Sequence, residues 1–164
     1  MGTSTTAPEG EKVVPIHPKK AKQVSEKKWS KVVMAQGFCI VPSILLRAQQ
    51  RLGLNPTHLV ILLQLAEYWW DEDRKPYPSK RDLSGRLGLS PRQIQRHIAA
   101  LERRGFVRRN ERHAARGGKS SNEYDLSGLV EHLKKLAPEI AEANEQKRQV
   151  TRRGGLRKKA AAKE

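Results

Sequence analysis

Ser79 and Ser90 constrain this chain more than any other residues, because each opens the same helix-start pattern. Ser79-Lys80-Arg81-Asp82 and Ser90-Pro91-Arg92-Gln93 both set a hydroxyl three residues before a side chain that reaches back to it. In such a box each side chain satisfies an amide that the helix end leaves bare. Pro91 adds the residue best tolerated at a first helical position. Between the two boxes lies Gly88-Leu89. The glycine supplies the left-handed residue that stops the first helix, and the leucine can pack back onto it. Leu83 and Leu87, four apart, share that helix's buried face. Two helices closed and reopened within so few residues must meet at a sharp corner.

The second helix, read as 90–104, divides its surface cleanly. Ile94, Ile98 and Leu101 are spaced by four and three and line one side. At about 100° per residue, Arg92, Arg96, Ala99 and Arg103 fall near the opposite side, with Gln93 and Gln95 flanking them. Arginine can hydrogen-bond guanine through two donors, glutamine can do the same with adenine, and a small alanine admits a close approach or a thymine methyl. The alternative is a solvated charged face. Against it, only Glu102 offsets the four arginines between 92 and 104, and both glutamines lie near the N-terminal end that enters a groove. Gly105 closes the helix.

Phe106-Val107 then starts a strand, and Asn122 to Leu126 supplies its partner, with Tyr124 and Leu126 on one face. Between them lies a glycine-tipped hairpin carrying Arg108, Arg109, Arg112, His113, Arg116 and Lys119. Such a basic hairpin can hold phosphates or reach into a minor groove. The alternative is a surface loop that only aids solubility; from 80 to 119 there are twelve Lys or Arg against three acids, a net of +9, which argues for a binding surface. The plan is mostly α with a small β-wing, a winged helix-turn-helix. Its expected DNA-contacting residues are Lys80, Arg81, Ser90, Arg92, Gln93, Gln95, Arg96, Ala99, Arg103, Arg108, Arg112, Arg116 and Lys119.

The run from Tyr77 to Val107 resembles bacterial winged helix-turn-helix domains. It is most similar to those at the front of plasmid and phage replication initiators and DnaD-like proteins, and to related transcription regulators. Phe38 to Leu46 and Ser121 to Leu126 share the resemblance, which covers roughly residues 37–137. The resemblance implies the fold and DNA binding; it does not separate regulators from initiators, which share this unit. Initiators of that kind carry a second folded domain, whereas here the remaining tail is short and basic, which favours a small regulator or accessory protein. Members of the resembled group act as dimers on inverted repeats, so a homodimer is expected.

The flanks complete the organisation. Residues 1–35 read as a flexible basic tail with seven Lys and three Glu and little periodicity. Residues 36–138 hold the periodic patterns: a strand over Phe38–Val41 ended by Pro42, a helix capped by Ser43 and closed by Gly53, then Asn55-Pro56 opening a helix to about Trp70. The apolar residues of that helix surround it on several sides and place it centrally. Asp71, Glu72 and Asp73 follow, an acidic cluster expected to face away from a phosphate backbone. Leu129, Leu133, Leu136 and Ile140 recur after the wing, to dock on the core or pair with a second chain. Pro138 interrupts any long coiled coil. Residues 139–164 read as a basic helix or tail.

The formal net charge of +16 over 164 residues favours a polyanionic partner, double-stranded DNA first. The lone Cys39 sits between Phe38 and Ile40 and reads as a buried thiol, unable to form an internal disulfide. Five scattered histidines and one cysteine build no zinc site of the usual type. Gly117-Gly118-Lys119-Ser120 lacks the upstream spacing of a phosphate loop. No nucleophile-and-base constellation points to catalysis. No cofactor, metal site or membrane span is expected, and the location expected is the cytoplasm, on the nucleoid. The function expected is a sequence-specific double-stranded DNA-binding protein, a transcription regulator of a bacterial or mobile-element gene. The alternatives are a plasmid or phage replication initiation or partition factor, or a sequence-neutral architectural nucleic-acid-binding protein.

Overall fold

Asn55 begins the element around which the domain is built. Its side chain accepts the amide of His58 at 2.7 Å, and Pro56 follows as the first helical residue. In the computed structural model, which describes residues 18–71, 73–112 and 121–161, the chain divides into two units, 1–38 and 39–164. Unit one carries α1 (Pro18–Trp29) and α2 (Lys31–Ala35) where the sequence suggested a tail. α1 is rich in lysine, whereas α2 is Lys-Val-Val-Met-Ala. Val24, Trp29, Val32 and Val33 are exposed, and Ser30 caps α2 from a left-handed backbone conformation.

In the second unit come α3 (Ser43–Arg47), α4 (Pro56–Glu67), α5 (Lys80–Leu87), α6 (Pro91–Arg103), β1 (Arg108–Asn110), β2 (Glu123–Asp125) and α7 (Ser127–Ala161). Several expectations need correction. Phe38 to Val41 form no strand; Phe38 and Ile40 are exposed, so no buried face drives extended pairing. Pro42, not Ser43, is the N-cap of α3, which passes into turns before Gly53. The α4 helix ends at Glu67 with Tyr68 as its cap, leaving Trp69 half-buried and Trp70 exposed. Cys39 is exposed rather than buried. Partial desolvation and the Glu67 charge push its thiol up, which lowers the reactive thiolate fraction.

The core forms where α4, α5, α6 and α7 converge. Ile61, Leu62, Leu65, Leu83, Ile94 and Leu101 are fully buried. Val60 lies on the solvent side of α4, so that helix is covered on most sides but not all. Leu129 and Leu133 join the core, with Leu136 and Ile140 packed against it. The α7 helix continues through Pro138, although proline removes one of its backbone hydrogen bonds. Arg51 pairs with Glu139 one residue further on.

β1 and β2 are antiparallel, with Arg108 opposite Asp125, Arg109 opposite Tyr124 and Asn110 opposite Glu123. The strand starts two residues later than Phe106 because that backbone is already engaged. The Phe106 amide donates to Leu101 at 3.0 Å and its carbonyl accepts from Leu129 at 3.1 Å. On its other edge β2 meets the segment before α5, where the Tyr124 amide donates to the Pro76 carbonyl at 2.8 Å.

That Leu129–Phe106 bond depends on a close approach of two backbones. A Cβ on Gly128 would lie 2.0 Å from the Gly105 carbonyl oxygen, and backbone cannot give way as a side chain can. Gly128→Ala is therefore expected to destabilise the protein by about 1–3 kcal/mol or more. Gly85→Ala, inside α5 with open space around it, is the control and is expected to stabilise by roughly 0.5–1 kcal/mol. Thermal unfolding of the two variants checks the contrast.

Candidate nucleic-acid interface

Both capping boxes form as the spacing predicts. Ser79 Oγ accepts the Asp82 amide at 3.0 Å while Asp82 accepts the Ser79 amide at 3.2 Å. Ser90 Oγ accepts the Gln93 amide at 3.2 Å and Gln93 Oε1 accepts the Ser90 amide at 2.8 Å. Gly88 adopts φ 63° between the helices, a conformation that disfavours any residue with a Cβ. The Ser84 hydroxyl donates to the Leu89 carbonyl at 2.5 Å. These local bonds set the angle at which α6 leaves α5.

The buried side of α6 is Ile94, Ile98 and Leu101. On the other side Arg92, Gln93, Gln95, Arg96 and Arg103 are exposed and Ala99 is half-buried. Ser90, Arg92, Gln93, Gln95, Arg96 and Ala99 line one shallow depression of about 490 Å³. Arg92, Arg96 and Arg103 enter no salt bridge among the described residues, so their charge faces outward. Glu102 does not balance them. It holds Arg109, accepting the Arg109 amide at 3.0 Å and its guanidinium at 2.5 Å.

Composition alone cannot sort the arginines by role. Arg86 is tied to Glu67 and Gln64 and lies over the Tyr68 ring. Arg104 donates to the carbonyls of Leu52 and Gly53 and lies over Phe106, closing the turn before α4. These are internal ties, unlike the outward arginines of α6. Gln93 is a mixed case, since its carbonyl oxygen is already the cap acceptor and only its NH₂ is left to donate. Lys80 donates to Gln95 at 3.4 Å, joining the start of α5 to α6. Arg81 is exposed.

At the wing base Arg108 is largely exposed and 3.5 Å from Asp125. Asp125 also meets Lys75 at 3.1 Å and accepts the Ser127 amide at 2.9 Å. Its burial opposes ionisation, but Ser127 and Lys75 outweigh it and hold the carboxyl at about 2. Arg112 lies over the Tyr77 ring, 4.4 Å from its centre. Arg116 and Lys119 lie outside the described residues, as does Glu72 of the acidic cluster.

Sequence reasoning missed the histidine contact beneath α6. His58, buried on α4, meets His97 of α6 edge-on with ring centres 5.3 Å apart. Burial, then His97, then Arg104 push its pKa down from 6.5. The folded state thus keeps His58 neutral where the unfolded chain takes up a proton. Stability is expected to be full above about pH 6.5 and to decline as pH falls through that value. Asp125 loses its contribution only at much lower pH, between 3.8 and about 2. Urea unfolding at pH 7.5, 6 and 5 checks the upper window, and His58→Phe should flatten it.

Residues 52–107 match a family model described as a helix-turn-helix domain. No curated protein matches the chain significantly. Among solved structures, the chain is similar to the N-terminal domain of DnaD protein from Geobacillus kaustophilus HTA426. Identity is 26% over 76% of this chain and 96% of that one, with a TM-score of 0.49. It is also similar to a "possible transcriptional regulator" from Methanosarcina mazei Go1, at 19% identity over 60% of this chain and 80% of that one, with a TM-score of 0.41. The matched segment spans the corner between α5 and α6, and the hairpin follows it. The fold is a winged helix-turn-helix, and the family match supports DNA binding. Among the described residues, no helix is long and apolar enough to cross a membrane.

Proposed function

We propose that this chain is a sequence-specific double-stranded DNA-binding protein that acts as a transcription regulator. In this reading α6 enters the major groove, with Arg96, Arg92 and Gln95 at base edges. The wing, residues 108–119, meets phosphates or the minor groove, and Lys80 and Arg81 meet the flanking backbone. The observation that carries the reading is the exposed face of α6. Its arginines are outside every described ion pair, on a helix whose opposite face is fully anchored. A helix of about 10–12 Å diameter fits a major groove about 12 Å wide. Binding as a homodimer on an inverted repeat belongs to the same proposal.

Selection of bound fragments from the source genome, followed by titration of the full chain on selected and scrambled duplexes, tests it. Discrimination of a thousandfold or more at physiological salt is the expected result. Equal affinity for both duplexes would overturn specificity. One observation favours a second, sequence-neutral reading. The α7 helix runs to Ala161 through Lys147, Arg148, Arg152, Arg153, Arg157, Lys158 and Lys159, with no acid among them. Under that reading, removing residues 147–164 weakens binding to all duplexes alike.

A further inference from the structure

Tyr77 carries no role in the interface as built so far, yet three observations converge on it. It lies between Pro76 and Pro78, both buried, while its own side chain is 48% exposed. Proline fixes its own backbone and restricts the residue before it, so this strip is stiff. The strip is also tied down, because the Pro76 carbonyl accepts the Tyr124 amide of β2 at 2.8 Å. The outward ring of Tyr77 therefore belongs to the rigid domain, not to the hairpin. Over that ring, 4.4 Å from its centre, lies the guanidinium of Arg112, two residues beyond the end of β1. A guanidinium over an aromatic face is held by the ring's quadrupole and by stacking.

We propose that Tyr77 is a positioning residue for the wing: its ring holds Arg112 at the hairpin base, aimed along the side where α5 begins. This rests on the DNA-binding reading above. Stacking over the ring face leaves the guanidinium's edge donors available. A hairpin arginine that is already ordered loses less freedom on meeting a phosphate. Lys80, three residues after Tyr77, reaches Gln95 of α6, so one short strip connects the wing base to the groove-facing helix.

The test uses the full chain and a duplex recovered by the fragment selection, titrated over a salt series. The variants are Tyr77→Ala, Tyr77→Phe, Arg112→Ala, the Tyr77→Ala/Arg112→Ala double and Arg96→Ala. Thermal midpoints are recorded for all. Tyr77→Ala is expected to weaken binding about three- to tenfold, the range of a partly exposed cation–ring contact. Tyr77→Phe, which retains the ring, should bind within about twofold of the parent on the same ground. Tyr77→Ala should add nothing once Arg112 is gone. Unchanged affinity for Tyr77→Ala would overturn the proposal. So would a phenylalanine variant as weak as the alanine one, or Tyr77 and Arg112 losses that multiply. If Arg96→Ala weakens binding while Tyr77→Ala does not, only the positioning role falls. If no variant matters, or no duplex is bound, the DNA-binding reading falls with it.

Discussion

Replacing Arg96 by Ala is expected to relax sequence preference by about 1–3 kcal/mol, roughly ten- to a hundredfold, at one base pair of the bound site. Arg96 lies on the exposed side of α6, lining the same depression as Ala99, and enters no described salt bridge. Its removal breaks no internal tie, so the folded state should be unaffected and thermal unfolding unchanged. The measurement is a comparison of affinities for the preferred duplex and for duplexes altered one pair at a time. A uniform loss across all of them would assign Arg96 to phosphate contact, with a reduced salt slope. Gln93→Ala is a poorer probe, because it also removes the cap acceptor of Ser90 and so weakens the helix start.

Two residues further along the same helix, the effect should move entirely to stability. Ile98 is 1% exposed and sits in the core beside Ile94 and Leu101. Ile98→Ala is expected to destabilise the domain by about 2–5 kcal/mol, the lost transfer energy plus the cavity left behind. A domain of this size has roughly 5–15 kcal/mol in total, so the urea midpoint should fall sharply. Binding measured well below the unfolding transition should retain its sequence preference. If Arg96→Ala unfolded the protein and Ile98→Ala did not, the assignment of the two faces of α6 would be inverted.

How much of this was legible beforehand depends on how local the cause is. The corner between α5 and α6 rests on hydroxyl and amide contacts three residues apart, so Ser79, Gly88 and Ser90 announced it directly. The division of α6 into an apolar and a basic face follows from helical period alone. The errors arose where distant groups decided the outcome. Phe38–Val41 has strand-like composition but forms no strand, with Phe38 and Ile40 exposed. Phe106 has strand character, yet its backbone is claimed by Leu101 and Leu129. Cys39 sits among apolar neighbours in sequence and is exposed in space. The arginines of the domain look alike in a charge count, and only their partners separate Arg86, Arg104 and Arg109 from Arg92, Arg96 and Arg103.

By itself the chain's residue order determined the helices that cap their own ends, the corner joining two of them and the charge of the hairpin. Each of these follows from bonds or periodicities spanning a few residues. The tertiary structure alone decided that Glu102 serves Arg109, that His58 meets His97, that Gly128 admits the Gly105 carbonyl and that Tyr77 lies beneath Arg112. Those pairs join residues between seven and thirty-nine positions apart. Only packing of the whole domain offsets the entropy of bringing such residues together.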